Sequence, residues 1–312
     1  MMAKVLVPLD GSELAERALP LAAAVAHLTG SGLKLVEAAV RPTSLEVGMG
    51  FEGLLEAAQD YLNKRSAMLR ERYQLHVTSQ AVIASAVKLI VDQAARPAVS
   101  AVVMSTHGRT GPLRMLMGSV AEGVLRKSPN PVYLVSSRAP EGPAVAGIKH
   151  ILVPLDGSAV SYSVLAPVRQ LAQAAGACLT LFRIFDEGEE LTDRNGATTG
   201  QQWDMLAAKA DLYFAPVKAH LRAAGLQVAA DWTTGDPARE ILAQADFVHA
   251  DLVALATHGR SGFDRLRHGS VAEGVLRHAK VPVMTFGPAA LKRLAGDVGT
   301  LVDARIARLS NL

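Results

Sequence analysis

The 312 residues predict a duplicated α/β protein, each copy an open, mostly parallel sheet with helices on both faces. Three observations carry that prediction. The segment 103–126 recurs as 254–277, so that His107, Gly108, Arg109, Gly111, Gly118 and Ser119 are matched by His258, Gly259, Arg260, Gly262, Gly269 and Ser270, 151 positions on. Within each copy, short apolar runs of strand length alternate with longer stretches of helical periodicity, the pattern of a parallel sheet wrapped on both sides. Half of the residues are hydrophobic, enough at this length for two cores of ordinary size.

The elements follow in order. Val5, Leu6 and Val7 run into Pro8, Leu9, Asp10, Gly11 and Ser12, and Ile151, Leu152 and Val153 run into Pro154, Leu155, Asp156, Gly157 and Ser158. Each reads as a buried strand turning into a helix through an acid, a glycine and a cap. Helices over 13–28 and 160–175 come next, closed by Gly30 and Gly176, then second strands at 33–39 and 177–185. The offset between copies is 146 at these strands and 151 at the duplicated segment, which places a five-residue gain in the loop 186–200. Long helices at 54–73 and 202–224 lead to third strands at 75–81 and 226–232. Asp236 and Pro237 read as N-cap and first residue of a helix, with Ser85 the weaker equivalent. Fourth strands, 99–105 and 252–257, enter the duplicated segment, and last strands follow at 132–135 and 283–286. Residues 138–147, rich in Pro, Ala and Gly, form a linker. Leu294, Val298, Leu301, Val302, Ile306 and Leu309 give the tail 288–312 an amphipathic helical stripe, expected to cover its own domain.

The duplicated segment has the geometry of an anion site. Nine residues separate Gly108 from Gly118, and Gly259 from Gly269, so a strand feeds a glycine loop that ends at a helix start. Ser119 with Glu122, and Ser270 with Glu273, have capping-box spacing. The first amides of such a helix lack intrahelical partners and its dipole is positive there, so a phosphate fits against Gly118, Ser119 and Val120, or Gly269, Ser270 and Val271.

These residues resemble the nucleotide-binding signature of the universal stress protein family: Gly, two residues, Gly, nine residues, Gly, Ser or Thr. Ser105 and Ala256 stand where the family has its first glycine. The resemblance implies two flavodoxin/Rossmann-like (adenine nucleotide alpha hydrolase-like) domains with five strands each: domain 1 at 1–137, domain 2 at 148–287. It implies ATP or AMP as ligand, any Mg2+ arriving with the phosphates. Asp10 with the backbone of Ala38, and Asp156 with that of Ile184, would hold ribose and adenine, beside Pro8, Met104, Pro154 and Leu255. Gly108, Gly118 and Ser119, and Gly259, Gly269 and Ser270, would hold the phosphates, with Arg109 and Arg260 adding charge. Family members commonly join through their last strands, so an intramolecular pseudo-dimer pairing 132–135 with 283–286 is expected, and a homodimer is open. The expected role is a nucleotide-responsive stress or signalling module. A nucleotide-free interaction scaffold and a slow ATPase stand as alternatives.

Other chemistry finds little support. Gly48, Gly50 and Gly53 form a G-x-G-x-x-G, but Pro42, Thr43 and Ser44 separate it from its strand, so a flexible loop or lid is expected. His107 and His258 have no G-x-S-x-G nucleophile to serve, and they read as anchors of their own loops. The nine histidines are scattered, with neither H-E-x-x-H nor a cysteine pair to hold a metal. A net charge of +3 and 4% aromatic residues argue against nucleic acid as partner. The lone Cys178 cannot form an intrachain disulfide and reads as a buried thiol. Pro8 and Asp10 come too early for a signal peptide, and no apolar run reaches membrane-span length, so a cytoplasmic protein is expected.

Overall fold

Residues 2–39, 51–107, 117–139, 147–185, 200–257 and 269–297 are described by the computed structural model. They divide into two compact units: Met1–Gly147 with Lys280–Ala290, and Ile148–Ala279 with Leu291–Leu312.

In the first unit the sheet order is β3 (Val77–Ile83), β2 (Gly32–Ala39), β1 (Lys4–Leu9), β4 (Val99–Ser105), β5 (Val132–Val135), every neighbouring pair parallel. Val5, Leu6 and Val7 of β1 have no exposed surface. A strand with apolar side chains on both faces needs cover on both, and this explains its place at the centre. The helices are α1 (Glu13–Glu16), α2 (Leu19–Leu28), α3 (Phe51–Tyr73), α4 (Ala86–Ala94) and α5 (Ser119–Lys127). The first unit also takes in a strand from late in the chain. β10 (Val283–Phe286) lies antiparallel on β5, in the register Val283↔Leu134, Met284↔Tyr133, Thr285↔Val132. This is the pairing expected of the last strands, and it covers the β5 edge.

The second unit has the order β9 (Leu252–Ala256), β6 (His150–Pro154), β7 (Cys178–Phe185), β8 (Val228–Thr234), again parallel. Its helices are α6 (Ala159–Ser163), α7 (Leu165–Ala175), α8 (Gly200–Ala223), α9 (Pro237–Phe247) and α10 (Ser270–His278); α11 (Pro288–Asp297) follows β10.

Several elements differ from expectation for identifiable reasons. The single helix expected over 13–28 is two, because Pro20 in the first turn of α2 has no N–H to offer the preceding turn. Pro167 breaks the corresponding helix between α6 and α7. The third strands start two residues late, after the left-handed residues Gln74 (φ 53) and Gly225 (φ 83). Cys178 is half-buried, not buried: as the first residue of β7 it lies at the strand's end, its thiol on the Lys149 carbonyl at 3.4 Å. The loop 40–50, most of the linker and the tail stripe beyond Leu294 lie outside the described residues. Among the described residues no helix is long and apolar enough to cross a membrane.

Candidate functional site

In each unit the winding direction reverses beside the first strand. β1 has β2 and β3 on one side and β4 and β5 on the other; β6 has β7 and β8 on one side and β9 on the other. Ligand crevices of open α/β sheets form at such a switch point, beyond the carboxyl ends of the strands. Both expected acids are there. Asp10 follows β1, and its Oδ1 accepts from Ser12 N at 3.1 Å and Ser12 Oγ at 2.6 Å. Asp156 follows β6 and holds Ser158 N and Oγ in the same way, at 2.9 and 2.6 Å. Each serine then caps its helix, accepting from Ala15 N or Ser161 N at 3.1 Å. The acid therefore fixes the turn, and α1 and α6 pack against β4 and β9 across the reversal.

The start of the signature helix is fixed by backbone. Gly118 N donates to the Thr106 carbonyl at 2.8 Å, tying the start of α5 to the chain just past β4; Gly269 N does the same to Thr257 at 2.9 Å. Gly118 and Gly269 are the N-caps, and their carbonyls accept the first intrahelical bonds from Glu122 N and Glu273 N at 3.0 Å. This corrects the capping box. Ser119 and Ser270 sit one residue inside the helix, and no side chain caps either one. Among the described residues no side chain takes the first amides at the positive end of either helix. Close approach favours glycine: a Cβ on Gly118 or Gly269 would lie 3.1 Å from the threonine carbonyl oxygen, tighter than most such contacts.

Ser105, at the family's first glycine position, ends β4, and its hydroxyl donates to the His107 carbonyl. His107 Nδ1 lies 3.0 Å from Thr106 Oγ1, and Thr106 N bonds the Val135 carbonyl at 2.9 Å. His107 is buried, with this bond inside its own loop.

The remaining expected residues line the same strand ends. Pro8 and Ala38 lie in β1 and β2, opposite Val36 and Val82; Met104 lies buried in β4 opposite Leu134. Pro154 and Ile184 lie in β6 and β7, opposite Phe182 and Thr233, and Leu255 lies buried in β9. Val120 and Val271 stand in the first turns of α5 and α10. Gly108, Arg109, His258, Gly259 and Arg260 lie outside the described residues. Among the described residues no cluster of His, Cys, Asp and Glu suits a metal ion.

Sequence reading passed over one group beside the second crevice. Arg183, at the end of β7, is 7% exposed and stacks over the Tyr213 ring at 4.1 Å and the Phe185 ring at 4.9 Å. Tyr162 lies beside Tyr213, with ring centroids 5.8 Å apart, and burial followed by that neighbouring phenol raises its pKa. The signal lay in comparing the copies: Glu37 pairs with Ala81 in β2 and β3 where Arg183 pairs with Trp232 in β7 and β8.

The universal stress protein family model matches residues 1–136 and 147–286. Universal stress protein Rv2005c of Mycobacterium tuberculosis is 27% identical over 220 residues, covering 68% of this chain and 69% of that protein. Universal stress protein MJ0531 of Methanocaldococcus jannaschii is 27% identical over 140 residues, 44% of this chain and 80% of that one. A universal stress protein structure from Archaeoglobus fulgidus shares the fold with a TM-score of 0.68 over 91% of this chain and 98% of its own, at 19% identity. Matched over both repeats, this chain belongs to the universal stress protein family.

Proposed function

We propose that each unit binds an adenine nucleotide, ATP or AMP, and that the protein is a cytoplasmic, nucleotide-responsive stress module rather than a fast enzyme. One observation carries the reading. In both repeats a helix start with no side-chain cap is tied to the end of the strand beside the switch point, Gly118 to Thr106 and Gly269 to Thr257. Backbone amides and the helix dipole together favour phosphate there. Asp10 and Asp156 would meet the ribose, and the backbone of Ala38 and Ile184 the adenine. Gly108, Arg109, Gly259 and Arg260 complete the phosphate loops, with Mg2+ carried by the phosphates. Among the described residues no activated nucleophile accompanies His107, and the proposed role calls for no fast hydrolysis.

The test is isothermal titration of ATP with magnesium into nucleotide-stripped protein, wild type beside Gly118→Val and Gly269→Val. A valine adds two methyls to a Cβ already only 3.1 Å from a backbone oxygen, so each variant should lose one of two binding events, weakened at least about tenfold. Circular dichroism verifies that the fold persists. Wild type giving no heat, with no competition by AMP, overturns the reading. That result would leave the scaffold, which Ser105 favours: its hydroxyl takes up the His107 carbonyl within the loop itself.

A further inference from the structure

Among the described residues the second unit buries a cation that makes no ion pair, although the charge of Asp156 acts on the same tyrosines. Arg183 is 7% and Tyr213 6% exposed; Arg183 Nε has no hydrogen-bond partner among the described residues, and Tyr213 Oη meets the Tyr162 hydroxyl and the Arg183 guanidinium. That guanidinium fills the space that Gly157 leaves open: a Cβ there would lie 2.8 Å from one terminal nitrogen. A buried charge without an ion pair carries a desolvation penalty that stacking on aromatic rings offsets only in part. The first unit has no such cation at the matched strand position, where Glu37 replaces Arg183, although Tyr61 stands where the second has Tyr213. The cation is thus a property of the second repeat, not of the fold.

We propose that Arg183 and Tyr213 form an oxyanion-binding site of the second unit, beside Gly157 at the carboxyl end of β7. The chemistry selects the ligand class. A guanidinium and a phenol offer fixed donors, and a tetrahedral oxyanion accepts from both; a charge-assisted bond there gains strength from exclusion of water. Free inorganic phosphate has this chemistry. A nucleotide held as proposed above sets its ribose at Asp156 and its phosphates at the start of α10, so the two readings are tested separately.

The protein carries its own reporter. Its two tryptophans both lie in this cluster: the Trp203 and Trp232 rings are 5.5 Å apart, and Trp232 is 5.7 Å from Phe185. Inorganic phosphate, and separately ATP, would be titrated into the full chain while tryptophan fluorescence is followed. Wild type should respond saturably to phosphate, Arg183→Gln should need at least about tenfold more, and Arg183→Lys should fall between. Tyr213→Phe keeps the ring and loses the hydroxyl, so a several-fold weakening is expected even if Arg183→Gln does not fold. An unsaturated or absent phosphate response in wild type, or identical titrations in wild type and folded variants, overturns the proposal and leaves Arg183 as packing. Phosphate binding that needs Arg183 while ATP gives no response, with or without Gly269→Val, would sink the nucleotide reading alone. ATP binding through Gly269 with no effect of Arg183→Gln on either ligand would sink this one alone.

Discussion

Replacing Gly287 by alanine tests how β10 is seated on the first unit. An ideal Cβ at 287 would stand 1.7 Å from the Leu125 carbonyl oxygen and 2.8 Å from its carbon. A carbon and a carbonyl oxygen in ordinary contact lie about 3.3–3.6 Å apart, so the two segments must separate by well over an ångström. Neither yields easily. Leu125 is fully buried within α5, whose last turn is closed by Ser128 N on the Val124 carbonyl at 2.7 Å, and Gly287 directly follows a strand held in register by β5. The obstacle is backbone, so no rotamer change relieves it. Overpacking a core costs about 1–3 kcal/mol when side chains can adjust, and with backbone on one side we expect about 3–5 kcal/mol. The corresponding residue of the first repeat is Ser136, buried and carrying an ordinary Cβ, so this contact and not the strand end demands glycine. Urea unfolding followed by circular dichroism would read the effect. With a slope of about 2–3 kcal/mol per molar, the midpoint of the first unit should fall by about 1–2 M. A Gly287→Ala midpoint within about 0.2 M of wild type would show that β10 is not packed as described.

Two further outcomes follow from local chemistry. Asp236→Ala should cost about 1 kcal/mol, because its carboxylate caps α9 by accepting from Arg239 N at 2.9 Å, whereas Ser85→Ala should cost only a few tenths, since Ser85 makes no such bond; paired thermal melts would compare them. Burial raises the pKa of Tyr61, Tyr133, Tyr162 and Tyr213 above the ordinary 10.0. The folded state then holds these protons more tightly than the unfolded chain, so the stability they contribute is complete below pH 10 and is lost as the pH rises beyond it. In a Tyr73→Phe variant, which keeps only these four tyrosines, tyrosinate absorbance should appear together with loss of circular dichroism; tyrosinate forming reversibly near pH 10 in folded protein would contradict this.

What the sequence revealed was local or repeated. β5 and β10 have the expected bounds because each is a short apolar run set off by proline, and Asp236 caps α9 because acid, proline and helix formers stand next to one another. Reading failed where a distant partner decides. Ser119 has the spacing of a cap, yet the Thr106 carbonyl takes the Gly118 amide and the helix starts there. Pro20 was visible, but whether proline opens a helix or divides one depends on the packing of the turn before it. Arg183 looks like one more charged residue in a strand until the fold lays Tyr213 and Phe185 against it. The divergence at matched positions was legible all along; its meaning required knowing which residues share a face.

The strand that completes the first unit also sets an order in time. β5 is translated long before β10, and at about 5–20 residues per second the intervening stretch takes roughly seven to thirty seconds to be made. Throughout that interval Val132–Val135 lacks the partner that later occupies its edge. The duplicated chain is thus sequential in synthesis but not in assembly, for its first-made sheet is finished by nearly the last strand made.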